Sequence, residues 1–360
     1  MNNILVFSEP IRSGKSTLLL NWIIQYKNIK GVICPDIAGK RKLYIINEHL
    51  LLPLEVDVGS TNNTLQAGRF IFNADSFKRA GESLLLEDYN VPSYMLIDEI
   101  GKLEMEKKQG FEPALTRLIE HYKSNQTSDK LILVIRDYLL QDALMKYGLQ
   151  DATIIKKDFF EQQISQVKTR NTYPVIGLVM CGGKSSRMGS PKALLKYHNK
   201  PQYIMVKNLL EPFCHTVQIS CKHEQVDWFE QGVVLQFDDD AYTQNGPVAA
   251  LLTACKLNEG NAYILIGCDY PALNANDINL LVQTGQTFNK SCCFVNSENM
   301  EEPLLAFYHP NDLMLLSEFY HSGQYSLGRF LKYINAVKIG AEDETTIKSY
   351  DTPEAFMLWC

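Results

Sequence analysis

No apolar run in the chain approaches the roughly 18 to 20 residues that a membrane span needs. The opening segment, MNNILVFSEPIRSGK, meets Arg12 and Lys15 where the apolar core of a signal peptide would continue. The sequence therefore reads as a cytoplasmic protein with no membrane partner. It also lacks any C-x-x-C pair, and its cysteines number nine, an odd count with only Cys292 and Cys293 adjacent. Neither a disulfide framework nor a zinc knuckle is expected, and the thiols read as buried. Glycine and proline show no excess, at 21 and 14 of 360 residues, which excludes collagen-like and low-complexity classes. No repeat of 20 to 50 residues occurs. A basic excess is missing as well: Lys and Arg number 22 against 21 Asp and Glu in residues 1–170, and 13 against 20 in residues 171–360. Nucleic acid is therefore not an expected partner.

What is present is enough apolar residue, 46% of 360, for two domains of about 150 residues each to bury their own cores. Short β-branched or aliphatic runs alternate with longer helical patterns in both halves, which predicts α/β folds built on mostly parallel sheets with helices on both faces. In the first half the strand candidates are 4–7, 31–34, 43–47, 94–98 and 131–136. The pattern restarts at VIGLVMC (175–181) and continues through 217–220, 233–237, 262–268 and 292–296. Between them KKDFFEQQISQVKTRNTYP is rich in charged and amide residues, which places the boundary near 165–173 and the domains at 1–168 and 174–360.

Strand ILVF runs into SEPIRSGKST and then the helical LLLNWIIQYK, the order in which a G-K-[ST] turn holds phosphates. In that turn Gly14 lets the backbone curl, Lys15 neutralises β/γ charge, Ser16 can ligate Mg²⁺, and Thr17 extends the phosphate-binding set. Glu9 stands where the first glycine of G-x-x-x-x-G-K-[ST] belongs, which argues for binding with slow hydrolysis. The second signal is YMLIDEIGKLE, a strand ending in Asp98 and Glu99. Carboxylates at such a strand end lie at the ligand crevice of open α/β sheets, where Asp98 can hold Mg²⁺ and Glu99 can orient an attacking water. The bland alternatives are a chance G-K-S at a helix start and two carboxylates capping a turn. GKST, GVICPDIAGKRKLYIIN and DEIGKLE followed by GFEPAL together resemble the P-loop nucleoside-triphosphatases whose Walker B reads DEIG, over roughly residues 1–155.

In the second half VIGLVMCGGKSSRMGSPKALL is the most informative segment. Gly182 and Gly183 permit close backbone approach to a ligand, Arg187 offers a planar fork for phosphate oxygens and Lys192 a mobile point charge, all within an acidic half. The segment resembles the L-x-G-G-x-S-x-R-M-G-x-x-K signature of the MobA-like molybdenum cofactor guanylyltransferases. Further likenesses follow in order: NGPVAALLTA (245–254), GCDYPAL (267–273), EPLLAFYHP (302–310) and SYDTPEAF (349–356). The resemblance covers about 174–360 and implies a Rossmann-like nucleotidyltransferase fold. It implies that Met180, Cys181 and Gly182 line the base, that Lys192 holds triphosphate and that Asp269 binds Mg²⁺. Asp238 or Asp239 would contact ribose or base. Asp269 also stands on its own, since it follows the buried run AYILIGC at the sheet's carboxyl edge. Cys181, Pro191, Lys222, Ser349 and Asp351 replace residues usual in the signature, which touches acceptor and base contacts more than the chemistry.

The activity implied is Mg²⁺-dependent transfer of GMP from GTP to the terminal phosphate of a molybdopterin-type cofactor, with Arg187, Lys192 and Asp269 at the chemistry and Glu99 at a second, nucleotide-hydrolysing site. Transient contact with molybdoenzymes or other cofactor-biosynthesis proteins is a further expectation. The alternatives are a cytidylyltransferase or sugar-phosphate nucleotidyltransferase of the same superfamily, or a nucleotide-gated cofactor carrier.

Overall fold

The computed structural model describes residues 3–10, 12–26, 28–59, 63–86, 94–124, 129–164, 173–182, 191–242, 246–350 and 352–359. Gly183 and Arg187 lie outside them. The chain divides into two compact units, Met1–Lys168 and Thr169–Cys360.

The first unit runs β1 (Ile4–Phe7), α1 (Lys15–Gln25), β2 (Ile29–Ile33), β3 (Asp36–Ile37), β4 (Lys40–Ile45), β5 (Leu50–Pro53), β6 (Thr64–Ala67), β7 (Phe70–Asn73) and α2 (Ala74–Leu84). It continues with β8 (Tyr94–Ile100), α3 (Glu112–Ser124), β9 (Lys130–Ile135), α4 (Leu140–Lys146), β10 (Thr153–Ile155) and α5 (Lys157–Glu161). The strands lie in the order β10-β1-β9-β8-β2-β4-β5, with β6 and β7 forming a separate hairpin. Pairing is parallel from β10 to β2 and antiparallel through β4 and β5. The parallel expectation thus fails at this edge, where short connections join β4 to β5 directly and no crossover helix intervenes.

Two features of this unit escape sequence patterning. KKDFFE, read above as part of the polar boundary, is α5, and its Phe160 is fully buried. Phe160 packs edge-on against Phe7 at 4.8 Å and Trp22 at 5.0 Å, so a polar-looking segment closes the core beneath β1 and α1. The β6–β7 hairpin turns through Gly68 and Arg69, with Gly68 at φ 62° in the first central position that a II′ turn reserves for glycine.

The second unit runs β11 (Val175–Met180), α6 (Gln202–Leu210), β12 (Thr216–Ser220), β13 (Val234–Gln236), α7 (Pro247–Leu257), β14 (Ala262–Gly267), α8 (Ala275–Phe288), β15 (Cys292–Val295) and β16 (Glu301–Tyr308). α9 (Pro310–Leu313), α10 (Leu316–His321), α11 (Leu327–Tyr333), β17 (Val337–Gly340) and α12 (Pro353–Trp359) complete it. Its strand order is β17-β15-β16-β14-β11-β12-β13, parallel except for β16, which runs antiparallel to both neighbours. β14 is buried along its whole length, as an interior strand covered on both faces must be. Ile176, Leu178, Tyr263, Leu265, Ala306 and Tyr308 share one core with residues of α7, α10 and α11. The chain leaves β11 toward β12 on one side, while β14 lies on the other, so the order reverses at β11 and a crevice opens at the carboxyl ends of β11 and β14.

Candidate functional site

In the first unit Gly14 caps α1 at φ 83°, a left-handed conformation that lets the chain turn directly from loop to helix. Lys15, Ser16 and Thr17 are therefore the first three helical residues, whose N–H groups have no partner within the helix. Ser16 and Thr17 are exposed. Lys15 folds back over the loop, donating from Nζ to the backbone carbonyls of Glu9 at 2.6 Å and Pro10 at 2.8 Å. Its partial burial lowers its pKa, and Asp137, Asp98 and Glu9 work against that shift. The Glu9 carboxylate stands 3.7 Å from Lys156 Nζ, which balances the acid that replaces the motif's first glycine. Lys156 also donates to the Ser8 carbonyl at 3.1 Å, and Lys157 to that of Ser13. Three lysines thus converge on one loop, two of them from the far end of the unit. The buried hydroxyls of Ser8 and Ser13 have no hydrogen-bond partner among the described residues.

Asp98 and Glu99 do not end their strand, which continues to Ile100. Asp98 is 5% exposed and accepts the Cys34 N–H at 3.1 Å. Burial, with Glu99 second, raises its pKa to about 6. Glu99 adopts φ 69°, a left-handed conformation costly for a residue with a Cβ. Its Oε1 accepts from Arg136 at 2.6 Å and ion-pairs with Arg41 at 3.0 Å, so this oxygen is held between two guanidiniums. Sequence reasoning missed both arginines. Arg136 closes the LILVIR run, whereas Arg41 carried no pattern of its own.

The second unit gathers its candidates at the crevice. Met180 pairs in register with Gly267, so Cys181 and Cys268 emerge side by side with sulfurs 3.4 Å apart. Lys192 Nζ lies 3.3 Å from Asp269 Oδ2, joining the signature lysine to the end of β14 across 77 residues of sequence. Ser349 Oγ donates to the same oxygen at 2.9 Å, and the Tyr350 N–H to the Asp269 carbonyl at 2.7 Å. A Cβ at Gly267 would stand 2.5 Å from Asp269 Oδ1, so glycine there leaves room for the carboxylate. Glu302, unremarked at the sequence level although it lies in EPLLAFYHP, accepts from the Tyr270 hydroxyl at 3.0 Å. Burial, and to a smaller degree the charge of Asp269, raise its pKa.

The structure separates Asp238 from Asp239. Asp239 Oδ2 is bound to Lys256 at 2.6 Å and its Oδ1 accepts the Ala241 N–H at 2.9 Å. Asp238 Oδ1 is buried with no hydrogen-bond partner among the described residues. Of the two, Asp238 has an acceptor left for a ligand.

A mixed α/β unit with a lysine, a carboxylate and a hydroxyl converging at the point of strand reversal has the layout of a nucleotide-handling site. Residues 177–338 match the MobA-like NTP transferase domain, so the C-terminal half carries such a domain. A molybdenum cofactor biosynthesis bifunctional protein of Synechocystis sp. is 27% identical over 212 residues, 58% of each chain. The present chain therefore spans little more than half the length of that relative. A probable molybdenum cofactor guanylyltransferase of Bacillus licheniformis is 29% identical over 172 residues, covering 46% of this chain and 87% of that one. A crystal structure of molybdopterin-guanine dinucleotide biosynthesis protein A from Archaeoglobus fulgidus aligns over 51% of this chain and 96% of that chain, with 18% identity and a TM-score of 0.43. Among the described residues no helix is long and apolar enough to cross a membrane.

Proposed function

We propose that the second unit transfers GMP from GTP to the terminal phosphate of a molybdopterin-type cofactor, and that the first unit binds a nucleoside triphosphate at Gly14–Thr17 as a P-loop domain. The observation that carries the first reading is the convergence of Lys192 and Ser349 on Asp269. The relatives named as guanylyltransferases support the choice of nucleotide and acceptor.

In the proposed reaction an oxygen of the acceptor's terminal phosphate bonds to the α-phosphorus of GTP as the bond from that phosphorus to the β-bridging oxygen breaks, and pyrophosphate leaves. Little covalent help is needed, so catalysis rests on positioning and charge neutralisation. Lys192 exchanges Asp269 for triphosphate oxygens, and Ser349 keeps the Asp269 carboxylate oriented after the lysine leaves. Arg187 supplies a second phosphate contact, Met180, Cys181, Gly182 and Gly183 line the base, and Asp238 accepts from ribose or base.

The donors fit Mg²⁺, since Asp269 and the neighbouring Glu302 offer hard carboxylate oxygens and a cation would offset their mutual repulsion. Held there, a divalent ion would neutralise phosphate charge. Among the described residues no three His, Cys, Asp or Glu side chains cluster to cage a metal, so an ion held by these carboxylates would take its remaining ligands from substrate phosphates and water. In the first unit Ser16 and Asp98 are the corresponding donors.

Pyrophosphate release in the presence of molybdopterin and Mg²⁺, with GTP, CTP or ATP in parallel, tests the reading. GTP is expected to exceed CTP by at least roughly tenfold in kcat/KM, equivalent to about 1.4 kcal/mol of differential transition-state binding. A preference for CTP would assign the cytidylyltransferase activity instead, and no release with any nucleotide would point to a carrier.

A further inference from the structure

A cavity of about 210 Å³ lies within the first unit, bordered by the β6–β7 hairpin, the end of β8 and the residue following β9. Gly14, Lys15 and Asp98 are not among its lining residues, so the phosphate loop does not form its wall, although Glu99 does. Its walls combine two chemistries. One is aromatic: Phe70 stacks at 6.2 Å on Phe72, which meets Phe77 edge-on at 6.2 Å, and Phe77 meets Phe111 at 4.8 Å. The other is cationic: Arg41, Arg69, Lys102 and Arg136 line the space against two carboxylates, Glu99 and Glu104.

These charges are unevenly committed. Arg41 and Arg136 share Glu99. Both oxygens of Glu104 are engaged by backbone N–H groups of Gly101 and Phe111. Arg69, at the exposed hairpin turn, ion-pairs with no carboxylate among the described residues and lies with its guanidinium 5.0 Å from the Phe70 ring centroid, while that of Arg41 lies 5.7 Å from it. A planar group entering beside Phe70 would gain an aromatic face, and a negative charge on it would meet a guanidinium fork with no competing acid. The volume is below the roughly 300 Å³ at which drug-sized pockets begin, which suits one or two fused rings rather than a dinucleotide.

We propose that this cavity binds a planar aromatic anion, one or two fused rings carrying a carboxylate or phosphate, with Phe70 as the stacking surface and Arg69 as the anion contact. Because Arg41 and Arg136 line the same space, an anion that reaches them competes with Glu99. Occupancy then loosens the Glu99 carboxylate, and the cavity becomes a second-ligand site adjoining the nucleotide loop.

The full chain is titrated with pterin-6-carboxylate, whose own fluorescence and anisotropy report stacking and immobilisation. A saturable binding component is expected that Arg69→Ala and Phe70→Ala each weaken at least about tenfold and that Lys15→Ala retains; any further component indifferent to all three variants belongs to the acceptor site proposed in the second unit. Arg69 is exposed at a turn, so its replacement leaves the fold intact, and an unchanged circular dichroism spectrum checks this. Absence of saturation, binding indifferent to Arg69→Ala and Phe70→Ala, or binding lost in Lys15→Ala alone would each overturn the proposal. The last result would mean that the probe had entered the phosphate loop.

Discussion

The two candidate sites treat their key lysine differently. In the second unit Lys192 faces a full carboxylate, Asp269, that a third residue, Ser349, also holds. In the first unit Lys15 is turned onto the carbonyls of its own loop, while Glu99, the acid that follows Asp98, is claimed by two arginines. In one site the key lysine thus meets a carboxylate from a distant segment, and in the other it is held by its own loop, while cations from distant segments take that site's acids. The difference follows from where the cation sits. Lys192 lies outside any long helix, beside a strand end, and reaches a buried-side carboxylate. Lys15 begins a helix whose free N–H groups already concentrate positive charge, so its ammonium is drawn to nearby carbonyl oxygens.

The largest expected effect lies in the second unit. Lys192→Ala or Asp269→Asn should lower the rate of the proposed guanylyl transfer by roughly 10² to 10³, the usual cost of removing a preorganised charge partner. Steady-state kinetics at saturating Mg²⁺ measure it, and near wild-type turnover in either variant would remove the basis of the comparison.

A smaller effect is expected at the first unit. Lys15→Ala should weaken its nucleotide binding about 10- to 100-fold, the range for a lost charge-assisted hydrogen bond. Calorimetry on the full chain, at nucleotide concentrations near the wild-type Kd, should then show the stoichiometry falling from two per chain to one. An unchanged stoichiometry of one in both proteins would mean that the first loop binds nothing.

The smallest effect concerns pH. Burial raises the Glu104 pKa to about 7 against an ordinary 4.5, outweighing the backbone N–H bonds from Gly101, Phe111 and its own residue. Between those values the folded state holds a proton that the unfolded state has released, so this residue's contribution to stability falls as pH rises from about 4.5 to above 7. Urea unfolding of the wild type and Glu104→Gln should diverge across that window, with the wild type losing ground relative to the variant toward pH 8. Parallel curves would show that Glu104 does not titrate there.

Much of the frame was legible residue by residue. ILVF is β1 at Ile4–Phe7 and AYILIGC contains β14 at Ala262–Gly267, because interior strands need unbroken aliphatic runs. GKST does open a helix, and Lys192 and Asp269, chosen from separate motifs, do meet. Elements whose burial comes from partners distant in sequence were not legible. KKDFFE looks like a linker until Phe160 is seen against Phe7 and Trp22. Composition pointed to Asp238 and Asp239 equally. Only the position of Lys256 on α7 engages one and leaves an oxygen of the other unpartnered.

The sequence by itself determined the α/β class of both halves, the Gly14–Lys15 turn that opens α1 and the acid that follows β14, because these depend on local periodicity and on conformations that only certain residues adopt. Tertiary structure alone decided the state of each charge. Glu99 between Arg41 and Arg136, Glu9 beside Lys156, and Lys192 with Ser349 on Asp269 are all pairings between segments far apart in the chain. An electrostatic partner is set by distance in space and by the water excluded around it, and neither quantity is written in the spacing of residues along a chain.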